Sequence, residues 1–320
     1  MQTVGLGDTG VRTSAMSLGC MYVGTRIDRE LSFKLLDRYV GTGGTFLDTA
    51  NCYAFWIEGA SGDESEELLG QWMKLRGARD DVFVATKVGA RPAFSGGRWP
   101  EDAQGLSAAV IIEDVERSLR RLQTDRIDLY YAHLDDRKTP LEETLEALAR
   151  LVRAGKIRHV GCSNTATWRI ERARQISRAN GWPAYCCVQQ KYTYLRPAPG
   201  RDFGPQQFVS QELLDYCAAD DVTILGYSPL LLGAYTRADR SMPDEFRGPD
   251  TDARLAALRA ISSEIGATPN QVVLAWMMQS APAIIPVVAA GTEEQLEEDL
   301  AALDVRLSPD QLQRLQRAGA

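Results

Sequence analysis

Short apolar runs alternate along the chain with longer stretches whose apolar residues recur at helical spacing. Residues 15–19 form one such run, and residues 29–40 place Leu31, Leu35, Leu36 and Tyr39 on one stripe before glycines at 41, 43 and 44 end it. The strand-then-helix unit then repeats: a strand at 45–48 with a helix at 63–75, 82–86 with 106–122, 127–132 with 141–152, 157–162 with 167–178, and 185–189 with 207–218. A strand at 222–226 precedes two helices, 252–265 and 269–278, and a strand at 283–287 precedes a helix opening near Thr292. Ahead of these units, residues 4–13 read as a hairpin with Gly7-Asp8 and Thr9-Gly10 as turn material.

Eight such units without a break in composition predict an α/β protein, a single (β/α)8 TIM barrel over residues 1–320 with an N-terminal β-hairpin. Parallel strands joined by right-handed crossovers close at that number. The connections after the second, third, sixth and seventh strands are long and carry Trp56, Trp99, Tyr192, Tyr194, Phe203 and Phe246. They lie at the C-terminal face, where barrels hold their chemistry, so the expected mouth is walled by these aromatics.

Composition narrows the partners. The chain carries a net charge of −7 with no basic stripe, which argues against nucleic acid. It has no basic start followed by an apolar run, and no stretch approaches a membrane span, so the expectation is a cytoplasmic protein without a membrane partner. Six cysteines without a C-x-x-C pair read as reduced and mostly buried, and two histidines leave little for a metal site; no metal is expected.

The strand tips carry the candidate chemistry. Residues 45–48 end on Asp48, with Tyr53 just beyond; Lys87 closes the third strand, and His133, one of the two histidines, closes the fourth. Singly, each has an ordinary explanation: a helix-capping Asp48, a solvated Lys87, a satisfied His133, a half-buried Tyr53. Adjacent barrel strands, however, bring their tips within side-chain reach of one another. Such a cluster supports proton transfer by a phenol. Tyrosine titrates near ~10, an ammonium from Lys87 stabilises its phenolate, and Asp48 would keep Lys87 fixed and charged. His133 would orient a carbonyl or alcohol oxygen against Tyr53.

At these residues the sequence resembles the aldo-keto reductases. The family's second-strand signature looks like Phe46-Leu47-Asp48-Thr49-Ala50-Asn51-Cys52-Tyr53 followed by Glu64-Ser65-Glu66-Glu67-Leu68-Leu69-Gly70, its lysine like Thr86-Lys87 and its histidine like Ala132-His133. The resemblance implies a catalytic tetrad of Asp48, Tyr53, Lys87 and His133, with Tyr53 as general acid or base for hydride exchange with a nicotinamide. It extends to Gly161-Cys162-Ser163-Asn164, similar to the segment that holds the carboxamide, to Gln189 beside it, and to Tyr227-Ser228-Pro229-Leu230, similar to the segment whose tyrosine stacks on the ring. The substrate is then a small carbonyl compound or alcohol.

Two segments depart from the family. The stretch from Ala54 to Asp63 is longer than the usual glycine turn and brings Phe55 and Trp56, which with Tyr22 and Trp99 are candidate pocket walls. Flat aromatics suit sugar or polyol faces as well as aromatic ketones, and a loop packing its own aromatics on the barrel rim reads equally well. The last unit, residues 285–299, lacks the cation that commonly meets the 2′-phosphate of NADP: Gln295 and Gly291 stand where arginine is often found, and Asp299 replaces an asparagine. With Glu298 beside it, this acidic run favours NAD(H) over NADP(H), since it accepts hydrogen bonds from ribose hydroxyls and repels a phosphate. Arg237 and Arg240 in the seventh loop are the alternative cations, for that phosphate or for the pyrophosphate. Two functions stay open here: an NAD(P)-dependent oxidoreductase, or a cofactor-binding sensor or accessory subunit with little turnover.

Overall fold

In the computed structural model, which describes residues 1–319, eight parallel strands form a closed barrel. In chain order they are β3 (Ser17–Gly19), β4 (Phe46–Asp48), β5 (Phe83–Val88), β6 (Ile127–Ala132), β7 (Ile157–Ser163), β8 (Cys187–Lys191), β9 (Thr223–Tyr227) and β10 (Ile284–Val288). β10 closes on β3 through Val287 opposite Ser17 and Val288 opposite Leu18. Ahead of them, β1 (Thr3–Gly5) and β2 (Arg12–Ser14) pair antiparallel as the predicted hairpin, and the connection between them puts the fully buried Leu6 into the barrel core.

The barrel interior is filled by side chains. Phe46, Ala85, Leu129, Tyr131, Cys187, Leu225, Ile285 and Val287 form one cluster, the inward set of a period-two pattern. Gly161 is part of that fit, because a Cβ there would stand 2.8 Å from both the Tyr131 ring and the Cys187 sulfur. Tyr131 occupies the space that a larger residue on β7 would need.

The outer layer is α1 (Arg29–Gly41), α2 (Glu64–Arg76), α3 (Ala108–Arg121), α4 (Leu141–Arg153), α5 (Thr167–Asn180), α6 (Gln211–Ala219), α7 (Thr251–Ile265), α8 (Pro269–Gln279), α9 (Glu293–Ala301) and α10 (Pro309–Arg317). Local chemistry sets many of the ends. Asp28, Ser107, Ser210 and Thr292 cap their helices, Thr268 with Gln271 and Ser308 with Gln311 form capping boxes ahead of proline, and Gly77, Gly181 and Gly266 close helices in the left-handed conformation.

The structure corrects several boundaries. The strand expected at 185–189 lies two residues later, because Cys187 rather than Tyr185 starts the ladder with β7 and β9. The helix expected from 207 starts at Gln211, after Lys191 and Phe208 bridge and Ser210 supplies the cap. α10 has no counterpart in the sequence reading: it is mostly polar, and only Leu315 is buried. It is tied down through Tyr194, whose hydroxyl donates to Leu315 O at 3.1 Å, and Arg254, which donates to Tyr194 O and Ala318 O.

Candidate active site

β4, β5 and the loop after β4 bring three of the predicted residues into direct contact. Asp48 and Lys87 are fully buried and form an ion pair, and Lys87 Nζ also donates to Thr49 O at 2.8 Å and to the Tyr53 hydroxyl at 2.6 Å. That hydroxyl in turn donates to Asp48 Oδ1 at 3.2 Å. Gln189 on β8 donates to the second carboxylate oxygen, Oδ2, at 2.8 Å. Asp48 is thus held from three sides, which is how a carboxylate with no solvent exposure is satisfied.

Electrostatics follow from burial. Desolvation, then the Asp48 carboxylate, push the Tyr53 phenol well above its ordinary value, so it rests protonated. The expectation that Lys87 would favour the phenolate is outweighed in this environment. Burial lowers the Lys87 ammonium against the opposing pull of Asp48. His133, at the tip of β6, is pushed well below the usual imidazole range by burial and by Lys87, and is neutral. Its ring stands edge-on to Tyr53, with centroids 6.0 Å apart.

A network that the sequence reading missed braces the Tyr53 loop. Arg91 donates to Asn51 O and pairs with Asp63, while Asn51 Nδ2 donates to Asp114 at 2.8 Å. Behind it, the fully buried Glu66 accepts from Thr86 Oγ1 at 2.6 Å and from Arg121 Nε at 2.7 Å. The available signal was Glu66 itself, an acidic residue on the buried face of α2.

The residues expected at the cofactor lie on β7, β8, β9 and α9. Ser163 Oγ donates to Gln189 O at 2.7 Å. Asn164, at φ 53°, donates to His133 O and Ser163 Oγ, and accepts from Tyr227 Oη at 2.8 Å and Gln207 N at 3.2 Å. Its amide is therefore fully engaged by the protein itself. Beyond Tyr227, Ser228, Leu231 and Leu232 have φ of 55°, 49° and 57°, with Gly233 at 90°. Left-handed leucines cost about 1–2 kcal/mol each, and the Leu231, Gly233 and Ala234 N–H groups donate within the loop, to Ser228 O, Leu230 O and Leu231 O. This loop after β9 includes Leu230. It is anchored by Thr193 Oγ1, which donates to Pro229 O at 2.5 Å and lies 2.7 Å from the Tyr235 hydroxyl.

At α9 the polar side chains have partners within the protein. Gln295 Oε1 accepts from Gly291 N at 2.7 Å, and Glu298 accepts from Thr268 Oγ1 at 2.6 Å and Asn270 Nδ2 at 3.2 Å, so its carboxylate serves the start of α8. Glu297 pairs with Arg38, and Arg237 with Asp239. Asp299 is 3% exposed, and burial with the neighbouring Glu298 raises its carboxyl to about 8.

The expected aromatic wall divides. Trp56 and Trp99 are 50% and 40% exposed; Phe55 meets Trp56 edge-on at 5.2 Å, and Trp99 Nε1 donates to Ala90 O. Tyr22 is half-buried and carries Arg26 over its ring. Tyr192, Tyr194 and Phe246, by contrast, are buried, Tyr192 stacking on Trp276 of α8 at 5.5 Å and Tyr194 meeting it edge-on. Phe246 packs instead against Phe203 and Phe208, with ring centroids 5.9 and 6.0 Å apart, so these aromatics gain more by burying apolar area against one another and against Trp276 than by standing at an open mouth.

The model of the aldo/keto reductase family matches residues 15–320. The norsolorinic acid reductase stcV of Emericella nidulans is 31% identical over 96% of this chain and 78% of its own length. The uncharacterized oxidoreductase YrpG of Bacillus subtilis is 30% identical over 98% of this chain and 95% of its own. An aryl-alcohol dehydrogenase [NADP(+)] of Phanerodontia chrysosporium is 30% identical over 96% and 82%. Among solved structures, the thermostable aldo-keto reductase Tm1743, in complex with the inhibitor epalrestat, matches with a TM-score of 0.77 and 30% identity over 98% of both chains.

Proposed function

The chain belongs to the aldo/keto reductase family and is a nicotinamide-dependent oxidoreductase interconverting carbonyls and alcohols, and from that premise we propose that its substrates are aryl aldehydes or ketones and the corresponding alcohols. The observation that carries the substrate class is the pair of half-exposed tryptophans, Trp56 and Trp99, on the loops after β4 and β5, with Phe55 beside Trp56. Flat rings present large faces to a flat substrate. The relative named an aryl-alcohol dehydrogenase supports the same class over the sugar or polyol alternative. The accessory-subunit reading is not favoured. Residues 1–320 work as one domain in the cytoplasm.

When bound, the reduced nicotinamide supplies a hydride to the carbonyl carbon. Tyr53 gives its proton to the oxygen as negative charge develops there, and Lys87, 2.6 Å from the hydroxyl, stabilises the phenolate left behind. Asp48 keeps Lys87 in place, and neutral His133 donates to the same oxygen. Ser163, Gln189 and Tyr227 would hold the nicotinamide end, and Asn164, whose amide is bonded to Ser163 and Tyr227, would orient them. Ser228 and Leu230 with the left-handed loop would hold the diphosphate, and Arg237, Gln295, Glu298 and Asp299 would face the adenosine.

NAD(H) is the proposed preference, although one relative's name carries NADP(+). Its support is that Gln295 is tied back to Gly291, Arg38 is paired with Glu297 and Arg237 with Asp239, while Glu293 and Glu294 stand exposed. The test is kcat/KM at low salt for benzaldehyde-type, aliphatic and sugar carbonyls with each reduced nicotinamide, in the unmodified protein and in Gln295→Arg. Aryl carbonyls and NAD(H) are expected to lead, with a swing toward NADP(H) in the variant. A sugar preference removes the substrate class, and a clear NADP(H) preference in the unmodified protein removes the cofactor assignment.

A further inference from the structure

Cys52 immediately precedes Tyr53 and is buried, and its sulfur lies 3.8 Å from Nδ1 of His133. The other imidazole nitrogen, Nε2, has no protein partner among the described residues. A neutral imidazole carries one hydrogen, and the partner of one nitrogen decides what the other offers. We propose that Cys52 is a positioning residue for carbonyl reduction: its thiol donates to Nδ1 of His133 and thereby fixes the tautomer in which Nε2 carries the hydrogen that meets the substrate oxygen.

Donor strength gives the direction of that contact. The imidazole lone pair is a good acceptor, while a thiol sulfur accepts weakly, so S–H to Nδ1 is the better of the two pairings. The thiol keeps its proton, since burial pushes it up to about 12. The surroundings hold the sulfur in place: Cys52 packs with Ala50 and Ala90, and a Cβ on Gly62 would stand 3.2 Å from the Cys52 Cα. His133 O accepts from Asn164 Nδ2 at 3.1 Å, which fixes the backbone that carries the imidazole. Without the thiol donor this bias is lost, and molecules with a bare Nε2 turn a lone pair toward the substrate oxygen.

This inference rests on the reading of His133 as the residue that meets that oxygen, and its test separates the two. The chain has only two histidines, so nitrogen-15 NMR of histidine-labelled protein, with His159→Gln for assignment, reports the His133 tautomer directly. The expected result is protonated Nε2 and bare Nδ1 in the unmodified protein, a mixture in Cys52→Ala, and recovery of the Nε2–H form in Cys52→Ser, whose hydroxyl also donates. kcat for carbonyl reduction should fall about twofold if the tautomers equalise in Cys52→Ala, with cofactor affinity unchanged and activity recovered in Cys52→Ser. A protonated Nδ1 in the unmodified protein overturns the proposal, as does an unchanged tautomer in Cys52→Ala. Failure of the underlying reading shows separately, as undiminished turnover in His133→Phe.

Discussion

Tyr53 is where proximity and burial act on one proton. Its hydroxyl accepts from Lys87 and donates to Asp48, so Tyr53→Phe deletes the transferable proton and leaves the Lys87–Asp48 pair in place. The expected outcome is a loss of ~10²–10⁴-fold in kcat with nearly unchanged cofactor affinity, measured by single-turnover reduction and by fluorescence titration. Full turnover by the Phe variant would remove Tyr53 from the acid's role. Asp299 poses a second residue-scale question. Between about pH 4 and about pH 8 the folded chain holds a proton at Asp299 that the unfolded chain has released, so this residue's contribution to stability declines as pH rises through that window. Asp299→Asn should therefore raise Tm by a few degrees at pH 8 and change it little near pH 4. An equal gain at both pH values in thermal melts would show that the charge is not the cause.

Among the elements, α2 and α3 show how a small residue positions the site. Gly70 lies on the buried face of α2, where a Cβ would come within 2.2 Å of Arg121 O and 2.6 Å of Leu122 C. These are backbone atoms at the end of α3, which a side-chain rotation cannot clear. α2 also carries Ser65, whose hydroxyl donates to Cys20 O and lies 2.6 Å from Thr49 Oγ1, and Glu66, which anchors Thr86 beside Lys87. Gly70→Ala should cost about 1–3 kcal/mol as overpacking, read by urea denaturation. It should also lower kcat, because displacing α2 moves the support of Tyr53 and Lys87. Wild-type stability in that variant would mean that the two helices part without penalty.

On the scale of the whole molecule, closure of the barrel and its helical layer makes six thiols inaccessible at once. Cys20, Cys52, Cys162, Cys186, Cys187 and Cys217 are free, and none is more than 2% exposed. A thiol reagent should label the native protein slowly and all six positions after denaturation, at a rate that follows global unfolding. Rapid labelling of a single cysteine would identify a local opening in the shell.

Most elements were legible in the sequence because their periodicity is local: β6 has the predicted bounds of 127–132 and α8 starts at the predicted Pro269. The order of Asp48, Tyr53, Lys87 and His133 along successive strand tips was legible for the same reason, since chain order in such a barrel is also neighbour order. Ladder pairing moved β8 by two residues, and side-chain anchors from Tyr194 and Arg254 hold the mostly polar α10. Tertiary packing alone decided that Tyr192, Tyr194 and Phe246 belong to the core, that Glu298 serves α8, and that the Cys52 sulfur faces His133. The local pattern states what a residue prefers; these outcomes depend on partners distant in sequence, whose positions exist only once the barrel has closed.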